Sequence, residues 1–299
     1  MGISESQLQT WSNPGPQTRA KQTHESVRRA LAWETSPLKK WMDANDLEMY
    51  LQGSYKNDTN IRGDSDVDLV VQLNASFHRD ISALSESEQI AYKQSFSNAT
   101  YTWRNLKDDA LKALQNFYGV ANASEGRKCL KVKTPYLPCD VVVALQYRRY
   151  KRFRNLLDQS YDEGITFYVP SEDRWVVNYP KQHYDNGVAK NGRTNWFKPT
   201  VRLFKNARTY LVDRKKIADD LAPSYFLQGL LYNVPDGCFG VSYRDTFCNV
   251  VNWLHESDFS KFVCQNGLVW LFGNTPEQWS SENAKQFVDV MIALWNNWQ

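Results

Sequence analysis

Two aspartates one residue apart, Asp66 and Asp68, stand at the start of an apolar segment rich in β-branched residues. Successive side chains of a strand point to opposite faces, so a strand here would project both carboxylates the same way, about 7 Å apart. Carboxylates this close repel each other unless a cation lies between them. Mg²⁺ prefers hard oxygen ligands and often bridges carboxylate and substrate phosphate. The pair is therefore interpreted as metal ligands, with two solvated acids on an exposed strand face as the alternative.

Two further features complete a possible phosphate-transfer site. Asp140 begins a second apolar segment, where it could supply a third carboxylate, because a buried lone acid is costly; a solvent-exposed acid at a strand edge is the alternative. Gly53-Ser54 lies upstream of the Asp-x-Asp pair, with the eleven residues from Tyr55 to Ser65 between them. Glycine lets backbone approach a ligand closely, and the serine hydroxyl and N–H can face phosphate oxygens. An ordinary Gly-Ser turn is the alternative.

These side chains require a mixed α/β region to position them. The pattern predicts helices and strands up to Pro180 and helices alone after it, which indicates an α+β fold with domains 1–180 and 181–299. Strands are predicted at residues 47–52, 66–73, 128–133, 137–146, 165–169 and 175–179, and helices at 18–33, 85–118 (broken near Asn98), 181–191, 197–213, 223–233, 242–256 and 281–296. The first fifteen residues are predicted to be loosely structured because of their Asn-Pro-Gly-Pro sequence.

Composition excludes several classes of protein. The 299 residues are 42% hydrophobic and 23% charged, which is typical of globular proteins and excludes wholesale disorder. The net charge of +3 does not indicate a nucleic-acid or membrane binder. Five cysteines with no C-x-x-C pair predict neither a zinc knuckle nor a disulfide framework, and favour a cytoplasmic location. The aromatic content of 14%, with 11 Trp, fits either core packing or sites for flat ligands.

The stretch from Gly53 to Val71, with a later single aspartate on a strand, resembles the polymerase-β-like nucleotidyltransferase superfamily. It is most similar to the bacterial cGAS/DncV-like nucleotidyltransferases (CD-NTases). The resemblance implies a bilobed protein, with a nucleotidyltransferase core of mixed sheet and flanking helices and a C-terminal helical domain. It also implies that Asp66, Asp68 and Asp140 are catalytic and hold two Mg²⁺ ions, with Mn²⁺ as an alternative metal.

The resemblance assigns further residues to the nucleotide. Mapped by motif, Lys205 and Ser224 would contact the triphosphate together with Gly53 and Ser54, and the ring of Tyr225 would stack on a base. Arg202, one turn before Lys205, is a further candidate for the phosphates. From the residues alone, a solvated helix face would explain Lys205 equally well, and core packing would explain Tyr225.

The implied activity is the joining of NTPs into a cyclic di- or trinucleotide second messenger, which an effector senses in anti-phage (CBASS) signalling. The alternatives are transfer of nucleotides to RNA or to a protein, and an inactive nucleotide-binding regulator. The basic residues 148–154 could form an RNA or DNA surface, but a solvated strand-to-helix junction is favoured because the net charge is small. We therefore expect a monomer that uses ATP, GTP or other NTPs, without a nucleic-acid activator and without a membrane association.

Overall fold

The computed structural model describes residues 2–62 and 66–298, so Gly63, Asp64 and Ser65 of the predicted motif lie outside the described residues. The strands are Leu47–Leu51 (β1), Val67–Asp80 (β2), Ala123–Glu125 (β3), Leu130–Lys133 (β4), Pro138–Asn155 (β5), Asp158–Val169 (β6) and Arg174–Asn178 (β7). The helices are Glu5–Ser12 (α1), Thr18–Leu31 (α2), Lys39–Asp43 (α3), Gly53–Asn57 (α4), Glu86–Ser95 (α5), Trp103–Tyr118 (α6), Pro180–Thr194 (α7), Phe197–Asp213 (α8), Ser224–Tyr232 (α9), Tyr243–Glu256 (α10) and Ser281–Asn296 (α11). The predicted α+β fold class is confirmed.

The strands form one mixed sheet in the order β1-β2-β5-β4-β3, and β6 continues it from β5 to β7. The two long strands, β2 and β5, run parallel, whereas their other neighbours run antiparallel. The residues from Leu69 to Val71 and from Val141 to Leu145 are buried, as expected for strands at the centre of a sheet. Both strands extend well beyond their predicted ends. Their second halves are rich in polar residues and lack a run of apolar residues, but they are still paired in the sheet.

The chain divides into two compact units. The helical unit comprises Met1–Pro16, Gly53–Asp64 and Lys181–Gln299, and the sheet unit comprises Gln17–Gln52 and Ser65–Pro180. Pro180, the predicted domain boundary, also ends the sheet unit, but two segments that the pattern assigns to residues 1–180 group with the helices. No helix among the described residues is long and apolar enough to cross a membrane.

The N-terminal segment is helical, so the prediction that it is loosely structured was wrong. The hydroxyl of Ser4 accepts from the N–H of Gln7 and thereby caps α1, and Ile3 and Leu8 are fully buried in the core of the helical unit. The side chain of Asn206 on α8 donates to the carbonyl of Trp11 at 2.7 Å, and the ring of Trp11 contacts Tyr210. Burial against α8 therefore outweighs the helix-breaking signals that follow Ser12.

The basic residues 148–154 lie within β5, so the predicted strand-to-helix junction was also wrong. Their charges face acids on the antiparallel strand β6. Asp162 binds Arg149 at 2.8 Å and Lys151 at 2.6 Å, and Asp158 binds Arg152 at 2.8 Å. Because these ion pairs compensate much of the positive charge, they weaken the case for a nucleic-acid surface along this run.

Candidate active site

The sheet unit brings two of the three predicted acids into register. Asp68 on β2 and Asp140 on β5 are directly paired across the parallel strands, and both side chains are half-buried. Asp66 precedes β2 and is exposed, which corrects the interpretation that both members of the Asp-x-Asp pair lie in a buried strand. Lys131 on β4 pairs with Asp140 from the other side. The starts of the parallel strands β2 and β5 thus place acids along one edge of the sheet, where both strands begin.

The negative charge of these acids affects the pKa values of two neighbouring thiols. Burial raises the pKa of Cys139 well above its usual range, and the charges of Asp68, Asp140 and Asp66 raise it further. Burial and the charge of Asp140 likewise raise the pKa of Cys129 to about 12. All three predicted acids therefore act on one buried thiol, which places them in the same electrostatic environment.

The donor chemistry of the three acids fits a divalent cation, since carboxylate oxygens are the ligands that Mg²⁺ prefers. Within the described ranges, however, no three Asp, Glu, His or Cys side chains already stand together as a metal-binding group. The shared effect on Cys139 and the pairing of Asp68 with Asp140 are the observations that support a cation there. A cation would relieve the repulsion among these carboxylates.

Gly53 and Ser54 begin the short helix α4 in the helical unit. Gly53 has a φ of +68°, a left-handed conformation that glycine adopts without the strain of a side chain. The side chain of Asn57 donates to the carbonyl of Gly53 at 2.7 Å, and the N–H of Thr59 donates to the carbonyl of Ser54 at 3.0 Å. These bonds hold the Gly-Ser backbone in a compact turn, the local geometry that a phosphate-binding segment requires.

Lys205 on α8 is buried and lies beside the segment that follows α4. Its Nζ donates to the carbonyl of Thr59 at 3.0 Å. Arg202, one turn earlier, donates to the carbonyl of Asp58, and its Nε donates to the carbonyl of Ser12 at 2.6 Å. The structure therefore brings Lys205 to the α4 segment, as a phosphate-binding role requires, and also gives it a structural bond.

Ser224 and Tyr225 begin α9, and both are exposed. Tyr225 is 37% exposed, and its ring stacks on that of His183, with 5.4 Å between the ring centroids and 18° between the planes. Burial raises the pKa of the Tyr225 hydroxyl, which lies 3.5 Å from the side-chain amide of Asn266. An exposed ring held from behind is suited to stack on a flat ligand.

Comparisons with known proteins decide the family. Residues 38–118 match the model of the nucleotidyltransferase domain, and residues 185–296 match that of the cGAS/DncV-like nucleotidyltransferase C-terminal helical domain. The cyclic UMP-AMP synthase of Rhodothermus marinus (strain SG0.5JP17-172) is 55% identical over 299 residues, which cover 100% of this chain and 99% of the relative. The chain belongs to the CD-NTase family.

Other relatives agree over the full length. The cyclic nucleotide synthase CdnE01 of Staphylococcus haemolyticus is 41% identical, with 100% of both chains covered. The solved structure of Rhodothermus marinus CdnE c-UMP-AMP synthase with Apcpp and Upnpp matches with a TM-score of 0.90 and covers 99% of this chain and 97% of that one. The Elizabethkingia meningoseptica CdnE structure with GTP and Apcpp is 30% identical, with a TM-score of 0.74 and coverage of 96% and 97%. This CD-NTase is accordingly a nucleotidyltransferase that joins NTPs into cyclic oligonucleotides, and nucleotidyltransferases generally use divalent metal ions.

The sequence analysis missed two lysines in the helical unit of this CD-NTase. The Nζ of Lys56 lies 4.3 Å from the ring centroid of Tyr184, and that of Lys198 lies 5.9 Å from it. Burial lowers the pKa of Lys198, and the charge of Asp58 opposes that shift. Lys56 is near Ser54 in the sequence and Lys198 is near Arg202, so proximity to the predicted residues was the available signal.

A buried polar network behind Tyr225 was likewise not predicted from the sequence. The side-chain amide of Gln228 donates to Nε2 of His183 at 3.2 Å and to Gln265 at 2.9 Å, and its oxygen accepts from Thr59 at 3.2 Å. Gln265 in turn donates to the carbonyl of His183 at 2.6 Å. Through Gln228, His183 is therefore linked to α9 and to the segment that follows α4 within the helical unit.

The buried His183 predicts an acid sensitivity of this unit. Burial lowers the pKa of His183 to about 4 from 6.5, so the unfolded chain binds more protons than the folded protein between these pH values. The contribution of His183 to the free energy of unfolding therefore falls as the pH falls below 6.5, by about 2 kcal/mol at pH 5. His183→Asn should lose correspondingly less stability than wild type between pH 7.5 and 5 in urea unfolding. The same substitution at the exposed His255 should leave the pH dependence unchanged, and equal pH dependence of wild type and His183→Asn would contradict the prediction.

Proposed function

We propose that this CD-NTase joins UTP and ATP into cyclic UMP–AMP. The observation that carries the proposal is the 55% identity, over the whole of both chains, to a cyclic UMP-AMP synthase. The related structure with a TM-score of 0.90 contains Apcpp and Upnpp, analogues of ATP and UTP. Relatives named for other base pairs are more distant, at 30% for a cyclic dipurine synthase and 32% for a cyclic dipyrimidine synthase.

The sheet unit would supply the metal ligands. Asp66, Asp68 and Asp140 would hold two Mg²⁺ ions, or Mn²⁺ in their place; the pairing of Asp68 with Asp140 and the common effect on Cys139 support this assignment. Bound metal would favour deprotonation of the acceptor ribose hydroxyl and neutralise charge on the triphosphate. The carboxylates would position the metal ions, and the spacing of the carboxylates would set where charge is stabilised.

The helical unit would supply the nucleotide contacts. Gly53 and Ser54 would face phosphate oxygens, a role that the left-handed turn at Gly53 supports. Lys205 and Ser224 would bind the triphosphate, the former as a positive charge and the latter through the N-terminal end of α9. The exposed face of Tyr225 would stack on a base, because His183 holds its other face.

The family also implies a signalling role. The cyclic product would be sensed by a separate effector in anti-phage defence. A long nucleic acid as acceptor is less well supported, because the acids of β6 pair with the basic residues of β5. A regulator without activity would not need carboxylates paired as Asp68 and Asp140 are.

The direct test is the identity of the product. Purified protein with Mg²⁺ and all four labelled NTPs should convert UTP and ATP into a phosphatase-resistant product with the mass of cyclic UMP–AMP. Omission of either UTP or ATP should abolish that product, because each nucleotide supplies one half of the ring. A cyclic dipurine as main product would contradict the base assignment, and no cyclic product under any NTP, metal or phage-extract condition would contradict the activity of this chain.

A further inference from the structure

The sheet unit contains a cavity of about 1120 Å³ that the proposed reaction does not use. It lies where the second half of β2 meets the loop between α5 and α6 and the hairpin of β6 and β7. Ligand pockets for molecules of nucleotide size typically measure about 300–1,000 Å³, so the cavity has room for such a molecule.

The cavity is remote from the catalytic acids within the same unit. Of the lining residues on the two central strands, Ala75 lies seven positions after Asp68 and Leu145 lies five positions after Asp140, separations of about 23 Å and about 16 Å at the rise of a β-strand. A ligand in this cavity would therefore bind independently of the metal-binding edge.

Aromatic rings form one wall of the cavity. Trp175 is 40% exposed, and its ring contacts His78 at 4.0 Å between centroids. Tyr168 at 5.5 Å and Trp103 at 6.0 Å hold Trp175 from its other sides. An exposed indole that neighbouring rings hold in place gives a flat ligand a preformed stacking surface.

The charge of the lining is positive. None of the described residues that line the cavity is Asp or Glu, whereas Arg79, Lys93 and Arg104 do line it. Arg104 is compensated by Asp108 at 2.5 Å and Glu125 at 2.7 Å. Arg79 contacts the ring of Tyr92, and neither it nor Lys93 has an acidic partner within ion-pair distance in the described part of the chain. Two cations beside an aromatic wall suit a ligand that combines a flat ring with negative charge.

We propose that this cavity is a second nucleotide site, in which a nucleobase stacks on Trp175 and its phosphate binds Arg79 and Lys93. The ligand is a small nucleotide with one or two phosphates. A nucleoside monophosphate and a cyclic dinucleotide share this chemistry, and the test separates them. Because the site is distinct from the acids, its failure would leave the proposed synthase activity untouched.

Binding is tested on the full-length protein without metal, with AMP, UMP and cyclic UMP–AMP as separate probes. Hydrogen–deuterium exchange should show that at least one probe protects residues 75–79 and 92–104. Trp175→Ala should weaken that binding about tenfold, which corresponds to the loss of one base–aromatic stack, whereas Trp175→Phe should retain most of it. Arg79→Gln/Lys93→Gln should weaken it by a similar factor and reduce its dependence on salt.

Matched controls use residues of the same unit outside the cavity. Trp33→Ala removes a tryptophan that is 52% exposed, and Lys112→Gln removes an exposed lysine of α6; both should bind the probes as wild type does. Protection by AMP or UMP alone would assign a monophosphate site, and protection by cyclic UMP–AMP alone would assign a product site. No protection of these residues by any probe, protection only by a ten-nucleotide single-stranded RNA, or equal binding by Trp175→Ala and Trp33→Ala would overturn the proposal.

Discussion

Asp68→Asn is expected to reduce cyclic-nucleotide synthesis by about 10³-fold or more, because the amide cannot replace a charged metal ligand where charge must be neutralised. Asp68 pairs in register with Asp140, so Asp140→Asn should produce a loss of the same order. Steady-state rates at saturating Mg²⁺ and NTPs measure the activity. Thermal unfolding of each variant checks that the loss of activity is not a loss of the fold.

A matched control comes from another aspartate of the sheet unit. Asp162 on β6 binds Arg149 and Lys151 and is not one of the predicted metal ligands. Its ion-pair partners are partly exposed, so Asp162→Asn should have little effect on stability and should change the rate less than about threefold. Wild-type rates in Asp68→Asn or Asp140→Asn would refute the assignment of the acids. Lower rates that excess Mn²⁺ restores would instead support weakened metal binding, since Mn²⁺ accepts similar ligands.

The acidic edge of the sheet was largely predictable because its information is local. Asp68 and Asp140 each start an apolar strand, and such strands lie at the centre of a sheet. Asp66 was placed one position too far inside, because alternation predicts which face a residue takes but not where pairing begins.

The contacts around the nucleotide-binding residues could not be predicted in the same way. The stack of His183 on Tyr225 and the bond from Lys205 to Thr59 join distant parts of the chain, and periodicity does not report such pairs. For the same reason, the pattern could not show that residues 1–16 and 53–64 group with the C-terminal helices. Here tertiary burial, not local propensity, decides the outcome.

The cavity lined by Trp175 shows a third kind of limit. The 11 tryptophans fit either core packing or sites for flat ligands; Trp103 and Trp279 are buried, whereas Trp175 is 40% exposed. A tryptophan in a predicted strand has the same pattern whether its ring is covered or exposed. The packing in the folded protein decides whether a tryptophan ring is buried or is exposed to a ligand.

Lys205→Met is expected to lower kcat/KM for NTPs by about 100-fold, because a positive charge that binds phosphate contributes up to ~3 kcal/mol. It should also lower the free energy of unfolding by about 2 kcal/mol, since the carbonyl of Thr59 loses a charged donor in a buried position. Both effects are measured on one preparation, by initial rates over a range of NTP concentrations and by thermal unfolding.

Arg202→Met is the comparison, because Arg202, the further candidate for the phosphates, donates to the carbonyl of Asp58 in the same segment and to that of Ser12 in α1. It should destabilise the fold by at least as much as Lys205→Met does, about 3 kcal/mol, because two carbonyls lose their donor. If Lys205 binds the triphosphate, its variant raises KM for NTPs far more than Arg202→Met does, although Arg202→Met loses at least as much stability. If kcat/KM falls equally in both variants, Lys205 has no phosphate contact beyond what Arg202 shares, and the assignment of that contact to Lys205 in particular is wrong.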